Sequence, residues 1–378
     1  MDKIIDKNLC TGCTSCMNIC PKGAIDMIED NDGFKYPVID KSKCINCGLC
    51  KRTCPVLNTT NNNSINKCYV GYAKDESIRF NSSSGGIFSV IANFILKNNG
   101  IVIGVSFDDN KLKHIAITEN KDLSKLRGSK YLQSDLDNMF SYIKENIKDR
   151  KILFVGTPCQ VAGLKSFMKR EYDNLICIDL FCHGVPSPKL FNKYITELEK
   201  DNGKVLNYNF RDNSTGWDNY SNTWEYKDKK VSQLRIDNDY MKLFLSDIAL
   251  RESCFNCNFK LGNKYSDITL GDFWGVKNYY PDMYNNSGVS AIIVNTDKGI
   301  NIFNDISNNV KFKECLLEEI LDGNPSLEKS GILSNKRKDF FKDMDKYSVR
   351  YLTKKYTGKS LVKKVKKKIK MIIKKIIK

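Results

Sequence analysis

One phrase of four cysteines, C-x2-C-x2-C-x3-C-P, occurs twice at the start of this 378-residue chain. Its first copy is Cys10, Cys13, Cys16 and Cys20 followed by Pro21; its second is Cys44, Cys47, Cys50 and Cys54 followed by Pro55. Each position of the second copy lies 34 residues after its counterpart, so the segment is an internal duplication. Three thiolates on a tight loop can reach three corners of one cube, while the fourth, stopped by proline, crosses to a second. Zinc sites usually use separated C-x2-C pairs, not a triple with a proline-terminated fourth. A disulfide framework needs a secreted context, and the opening MDKIIDKNLC lacks the apolar core of a signal peptide.

This spacing is the bacterial ferredoxin run, in which each half gives three thiolates to its own 4Fe–4S cluster and a fourth to its neighbour's. Cys10, Cys13, Cys16 and Cys54 are expected to hold one cluster, and Cys44, Cys47, Cys50 and Cys20 the other. Such a chain is expected in the cytoplasm, reduced, where oxygen is scarce.

The ferredoxin part occupies about 58 residues, and the remainder is long enough for a substantial core and for about two or three domains in all. An apolar content of 41% is ordinary for a soluble protein, and no run approaches the ~18–20 apolar residues of a membrane span. Ten of the seventeen net positive charges sit between Lys359 and Lys378, a stretch without an acidic residue. Val362, Val365, Ile369, Ile372 and Ile376 recur there at three- and four-residue steps, the pattern of an amphipathic helix ringed by lysines. Two readings stay open: a helix on an anionic membrane surface, peripheral to its inner face, or a solvated tail. A nucleic-acid partner is not expected, because the excess charge lies in a terminal tail and no recognised binding domain accompanies it.

Residues 59–67 (TTNNNSINK) read as a linker. Beyond them strands are expected at Cys68–Ala73, Ile101–Phe107, Ile115–Thr118, Lys151–Val155 and Leu175–Phe181. Helices are expected at Ile87–Leu96, Asp135–Ile147, from about Val161, at Pro188–Lys200 and at Tyr240–Leu250. The strands ending at Gly156-Thr157-Pro158-Cys159-Gln160 and at Cys182-His183-Gly184 place cysteines in neighbouring strand-end loops, where open α/β sheets put their chemistry. An aromatic segment with Trp217, Tyr220, Trp224 and Tyr226 is expected to form antiparallel strands. The fold class expected is α+β: a bacterial-type ferredoxin domain (1–58), a linker (59–67) and a mixed α/β, non-Rossmann body in two parts (68–150 and 151–345), then a basic tail (346–378).

Seven cysteines lie outside the ferredoxin part. Cys177 is expected as a small core residue, and Cys68 and Cys315 show no partner signal. Cys159, Cys182, Cys254 and Cys257 come from three loops and are numerous enough for a third 4Fe–4S cluster. A low-pKa thiol at Cys159 and a zinc-binding Cys254/Cys257 pair are the alternatives. Asn81 to Gly86 (NSSSGG) before a helix suits a dinucleotide phosphate, although a serine–glycine helix cap has the same look. No G-x-G-x-x-G follows a strand, so a standard NAD-binding unit is not supported.

The phrases S-S-S-G-G (82–86), R-G-S-K-Y (127–131), G-T-P-C-Q (156–160), F-C-H-G-V-P-S (181–187), C-x2-C (254, 257) and D-I-T-L-G-D-F-W-G (267–275) occur in that order. Together they resemble the coenzyme F420 hydrogenase/dehydrogenase beta-subunit family, from the ferredoxin domain to roughly residue 340. The resemblance implies a non-Rossmann FAD site fed by iron–sulfur clusters. It makes Ser83, Ser84, Gly85, Gly86 and Lys130 flavin-phosphate candidates and puts Asp272, Phe273 and Trp274 near the cofactor wall. It also makes Cys159, Cys182, Cys254 and Cys257 ligands of an additional cluster, with His183 as a proton relay or a hydrogen-bond partner of cluster sulfur.

The function expected is that of a flavin-dependent iron–sulfur oxidoreductase passing electrons between 4Fe–4S clusters, FAD and an organic two-electron substrate, coenzyme F420 among the candidates. A reduced ferredoxin or another redox protein would be its partner. Two rivals are an electron-transfer subunit without a substrate of its own and a redox enzyme of cell-surface polysaccharide assembly.

Overall fold

A computed structural model describes residues 3–59, 65–108, 111–261 and 265–358. Most of the linker segment and the lysine-rich run from 359 onward lie outside the described residues, and the amphipathic-helix reading of that run lies there with them.

The two cysteine runs take the same backbone path. Gly12 and Thr14 adopt left-handed φ values of 70° and 62°, and their repeat counterparts Asn46 and Gly48 adopt 54° and 71°. Each pair curls its loop before a single helical turn, Ser15–Asn18 in the first copy and Leu49–Arg52 in the second. Between the runs, β1 (Ile25–Glu29) and β2 (Lys35–Ile39) form an antiparallel hairpin.

Eleven further strands follow: β3 (Lys67–Ala73), β4 (Ile101–Asp108), β5 (Lys111–Ile117), β6 (Ile152–Gly156), β7 (Leu175–Leu180), β8 (Asn207–Asp212), β9 (Ser221–Glu225), β10 (Lys230–Leu234), β11 (Ile268–Asp272), β12 (Ser290–Val294) and β13 (Val310–Glu314). Eight of them build one mixed sheet in the order β13-β3-β12-β11-β7-β6-β4-β5. The pairs β4·β6, β6·β7 and β7·β11 are parallel, and the pairs flanking them are antiparallel. The segments 68–150 and 151–345 thus both contribute strands to a single sheet. Strands β8 to β10 form a separate antiparallel sheet, which holds the aromatic segment.

The central strands are buried at nearly every position, as a sheet covered on both faces requires, and successive side chains enter opposite layers with period two. Val102, Leu153, Val155, Ile176 and Ile178 pack under the helices Ile87–Lys97 and Asp297–Ile306. Ile101, Ile103, Ile152, Phe154, Leu175 and Cys177 pack under the helices Met139–Asn146 and Pro158–Met168. Each fully buried aliphatic side chain stabilises the fold by roughly 1.5–3 kcal/mol. Cys177 is fully buried in this layer, as a small core residue. Cys68 and Cys315 are joined across β3 and β13, where the Cys315 amide donates to the Cys68 carbonyl at 3.0 Å.

Several boundaries differ from the sequence reading: the strand expected from Ile115 already begins at Lys111, and the helix expected from about Val161 begins at Pro158, where Thr157 caps it. The helix expected from Asp135 begins at Met139, because the backbone of Asp135 bonds to Leu112 and His114 and its carboxylate pairs with Lys35. The helix expected to reach Leu250 stops at Leu245, and Asp247 turns left-handed (φ 65°). Residues 346–358, expected to open the basic tail, belong to the body instead. Their helix, Val349–Thr357, buries Val349 and Leu352, and the Val349 amide donates to Glu197. The physical reason is an apolar stripe on this helix that the chain's overall charge hides.

His114 is built into the body rather than exposed. It is buried, stacks on Phe154, and links the Val155 carbonyl (3.1 Å) to Ser134 Oγ (3.1 Å). Burial pushes its pKa down to about 4, so the neutral ring is the folded form. A depressed pKa gives stability that is present above the unfolded value near 6.5 and is lost as pH falls toward 4. In urea unfolding, the protein should lose about 2 kcal/mol more between pH 7 and pH 5 than the His114→Gln variant does. Equal losses would show that His114 does not titrate on unfolding.

Candidate functional site

The crossed pattern is present in the thiols of the ferredoxin part. Cys10, Cys13, Cys16 and Cys54 line one cavity, together with Met27, Pro37 and Pro55. Cys20, Cys44, Cys47 and Cys50 line another, with Pro21, Ile25 and Ile39. The last cysteine of each run has therefore crossed to the other run's cavity. Cys10, Cys13 and Cys54 are buried, whereas Cys47 is exposed, so the second set is the outer one.

Burial pushes the Cys13 thiol up to about 12, reinforced by the neighbouring Cys54 and Cys10, and raises Cys16, Cys50 and Cys54 as well. Such thiols are neutral unless a cation holds them as thiolates. Among the described residues no three His, Cys, Asp or Glu side chains converge on a single metal ion. Four thiols around an apolar cavity are the donor set of an iron–sulfur cluster, and the residues present fit one in each cavity.

The four interior cysteines also come together. The charges of Cys182, Cys257 and Cys254 all act on Cys159, and the charge of Cys182 acts on Cys254. Cys159 follows Pro158 in the first turn of its helix, where Thr157 and Gln160 form a reciprocal cap, and the Thr157 hydroxyl lies 3.2 Å from Cys159 Sγ. Burial, then the neighbouring Cys182, raises the Cys159 thiol well above its ordinary pKa, which removes the reading of an activated nucleophile. Burial likewise pushes Cys254 up to about 12. The Cys257 amide donates to Ser330 Oγ at 3.1 Å. The Lys260 ammonium donates to the Cys182 carbonyl at 2.8 Å and to Ser326 O at 2.7 Å, tying the two cysteine loops together.

His183, next to Cys182, holds Asp247 Oδ1 through Nε2 at 2.6 Å and sets its ring edge-on to Phe244. Burial alone would raise the Asp247 carboxyl; hydrogen bonds from His183 and from the Ile332 amide (2.8 Å) outweigh it and hold the pKa below the ordinary range. The left-handed turn at Asp247 that ends its helix presents this carboxylate.

The phosphate candidates converge at the same sheet edge. Parallel strands β6, β7 and β11 end at Gly156, Leu180 and Asp272, which aligns Cys159, Cys182 and Asp272 along their carboxyl ends. Ser290, opposite Asp272 on β12, receives the Gly85 amide (3.0 Å) and donates to Ser84 Oγ, which in turn donates to the Val289 carbonyl. A Cβ on Gly85 would come within 2.5 Å of the Gly71 carbonyl, so strand packing alone requires this glycine. Gly86 (φ 85°) precedes the helix Ile87–Lys97, and no side chain caps that helix's first amides.

Ser83 Oγ accepts from the Ser129 amide at 2.7 Å, bringing R-G-S-K-Y against S-S-S-G-G. Lys130 has other work: its ammonium donates to the carbonyls of Leu126 (3.0 Å) and Arg127 (2.7 Å), while burial pushes its pKa down to about 7. Asp272 is engaged as well, by both terminal nitrogens of Arg211 and by Trp217 Nε1 at 2.7 Å. Trp217 stacks on Trp274 with centroids 4.6 Å apart, and Phe273 is buried in the core.

Sequence reasoning missed Arg211, Asn213, Asp247, Arg251 and Lys260. Arg211 lies between Tyr220 and Trp274, and its Nε is buried without a partner. Asn213 donates to the Ser82 carbonyl at 2.7 Å, and its Oδ1 is likewise unpartnered. Buried polar atoms left unpaired are costly. With the uncapped helix start, they fit an absent polar ligand at this edge. No motif marks Arg211 or Asn213, so only the tertiary structure reveals them.

Two contacts join the first thiol set to the interior set. A Cβ on Gly163 would lie 2.9 Å from both Cβ and Sγ of Cys13. Gly163 stands one helical turn, about 5.4 Å, beyond Cys159 on the same helix. Arg251, three residues before Cys254, donates to the Cys10 carbonyl at 2.7 Å.

Two four-cysteine cavities docked on a mixed sheet define a dicluster iron–sulfur segment joined to an α/β body, and comparison with known proteins agrees. Residues 9–58 match a 4Fe-4S dicluster domain, residues 68–140 the N-terminal part and residues 149–319 the C-terminal part of the coenzyme F420 hydrogenase/dehydrogenase beta subunit. The chain belongs to that beta-subunit family. It is 27% identical over 332 residues to a coenzyme F420-dependent sulfite reductase of Methanocaldococcus jannaschii, covering 85% of this chain and 49% of that protein. The chain thus spans about half the length of this relative. A chain of the xenon-derivatised F420-reducing [NiFe] hydrogenase complex of Methanosarcina barkeri aligns over 75% of this chain and 90% of its own, with 18% identity and a TM-score of 0.47.

The packing of Cys13 on Gly163 yields a direct expectation. Gly163→Ala should destabilise the protein by about 1–3 kcal/mol through overpacking and lower its iron content, measured by chemical denaturation and iron analysis. Unchanged stability and iron would mean that the first cysteine loop does not rest on this helix.

Proposed function

We propose that this chain is an iron–sulfur flavoprotein that carries electrons between an external redox protein and an organic two-electron substrate. The observation that carries this reading is the continuous arrangement of thiol sets, from the exposed Cys47 through the buried Cys13 to Cys159 at the sheet edge where the serine–glycine loop lies.

Cys20, Cys44, Cys47 and Cys50 would hold the outer cluster, and Cys10, Cys13, Cys16 and Cys54 the buried one. Cys159, Cys182, Cys254 and Cys257 would hold a third. FAD would sit with its phosphates toward Ser83, Ser84, Gly85, Gly86 and the uncapped amides of the following helix. When bound, 4Fe–4S clusters supply one-electron exchange and a flavin supplies one- or two-electron exchange.

The chain's own residues bind, orient and shield. Among the described residues Ser83 Oγ accepts from the Ser129 amide and donates to none, which would leave its hydroxyl hydrogen for a phosphate oxygen. Asp272 and Arg211 lock Trp217 and Trp274 as one wall, with the guanidinium over the Trp274 ring. Lys130 braces the R-G-S-K-Y turn from inside. With Nε2 hydrogen-bonded to Asp247 Oδ1, the His183 ring is held in one orientation and would present Nδ1 to a substrate. His183 would thereby hold a proton at Nδ1 for a substrate that needs one, and the nearby Asp247 would stabilise the imidazolium. The names of the family and of its relative make coenzyme F420 a candidate substrate.

Anaerobically purified protein should contain about 12 irons and one flavin per chain, since each cubane holds four irons. The Cys254→Ala/Cys257→Ala double variant should fall to about 8 irons and keep the ferredoxin EPR signals. A wild-type content near 8 would remove the interior cysteines as cluster ligands, and a preparation without flavin would remove FAD.

A further inference from the structure

Arg251 is the largest buried charge that the reading above leaves unused. Its side chain is fully buried, between the ferredoxin hairpin and the body. Nε donates to the Cys10 carbonyl at 2.7 Å, one terminal nitrogen to Gln133 Oε1 at 3.1 Å, and the other to the Lys35 carbonyl at 2.9 Å. The last of these also lies 3.9 Å from Cys10 Sγ. Phe34 and Tyr36 flank the guanidinium, 5.5 and 4.2 Å from it. Among the described residues no carboxylate forms an ion pair with it.

A buried guanidinium carries a fixed positive charge, and leaving such a charge uncompensated is strongly destabilising. The negative groups within its reach are sulfurs. Cys10 Sγ is hydrogen-bonded to it, and Cys254 follows three residues later on the same loop. Four cysteine thiolates on a 4Fe–4S cluster bring net negative charge into the same apolar space, and reduction adds one more electron there. Charge and hydrogen bonds at the sulfurs set cluster potentials.

The local backbone is built around this placement. Gly12 (φ 70°) lies so close that a Cβ there would come within 3.1 Å of the guanidinium carbon and 2.9 Å of Gln133 Nε2. The Arg251 amide donates to the Val185 carbonyl in the Cys182 loop, and its carbonyl accepts from the Cys254 amide. One residue therefore grips the Cys10 loop with its side chain and two interior cysteine loops with its backbone.

We propose that Arg251 is a positioning and potential-setting residue, which makes the cluster held by Cys10, Cys13, Cys16 and Cys54 easier to reduce than the outer one and so draws electrons inward. This rests on the reading of those thiols as cluster ligands. The outer set has its own arginine, but at the surface: Arg52 is exposed and donates to the Cys47 carbonyl at 2.8 Å, where solvent screens its charge.

The test is an EPR-monitored redox titration of the whole protein, prepared anaerobically, with iron and sulfide counted alongside. Arg251→Gln removes the charge and keeps a donor. Gln133→Glu leaves the arginine in place and sets a carboxylate against it. Both should lower the reduction equilibrium of one ferredoxin cluster at least tenfold, about 59 mV for a one-electron couple, and move the other less than threefold. Arg251→Lys, which restores the charge, should recover part of the difference. Iron-replete variants with unchanged potentials, or with both ferredoxin clusters shifted equally, would overturn the role of Arg251. An iron-free wild-type protein would overturn the underlying reading as well. If Arg251→Gln fails to retain iron, Gln133→Glu decides alone.

Discussion

Cys13 lies against a glycine of the helix that carries Cys159 in its first turn, with no room for even a methyl group between them. That contact, with the Arg251 hydrogen bond to the Cys10 loop, decides how the two halves of the chain sit together. It buries three thiols of the first set under the sheet's covering helices and leaves the second set at the surface. Further bonds join the halves, among them the hydroxyl of Thr53 to the Ser166 carbonyl, Asn18 to the Asp137 carbonyl and Gln133 to the Thr11 carbonyl. Phe34, from the ferredoxin hairpin, packs in the body's own core beside Phe341. The ferredoxin part is thus a layer of the body rather than an appendage.

Electrostatics gives the arrangement its direction. Thiols in a dry cavity resist ionisation, and burial holds Cys13, Cys16, Cys159 and Cys254 in the neutral form until a metal displaces the proton. Once thiolates form, their charge needs a partner inside the protein. Arg251 stands at the inner ferredoxin loop and Lys260 at the Cys182 loop. The Arg211–Asp272 pair, by contrast, is neutral as a unit and stiffens the aromatic wall of the proposed cofactor site. The positive charges that count are few: Arg251 is fully buried and Lys260 half-buried.

Much of this was legible in the sequence. The crossing of Cys20 and Cys54 follows from the duplicated spacing and from proline at each end. The strands around Gly156 and Leu180 stand out as apolar runs that stop at cysteine loops, and burial on both faces of the sheet accounts for them. What sequence could not show was relation between distant segments. Arg251, Arg211 and Asp247 carry no motif; each acquires meaning from a partner some 60 to 240 positions away. Lys130 shows a second thing that sequence could not supply, the immediate surroundings of a side chain. A cation in a phosphate-like phrase suggests a ligand contact, yet its ammonium caps local carbonyls. Helix ends were misjudged where a side chain had other obligations, as with Asp135 toward Lys35 and Asp247 toward His183.

The central claim is a line of inorganic centres that ends inside the body. Diffraction from anaerobically grown crystals at the iron absorption edge tests it most directly. Three anomalous peaks are predicted, the innermost bounded by Cys159, Cys182, Cys254 and Cys257 and next to the one at Cys13. Iron confined to the two amino-terminal cavities, with those four sulfurs bare or bound to zinc, would contradict the account.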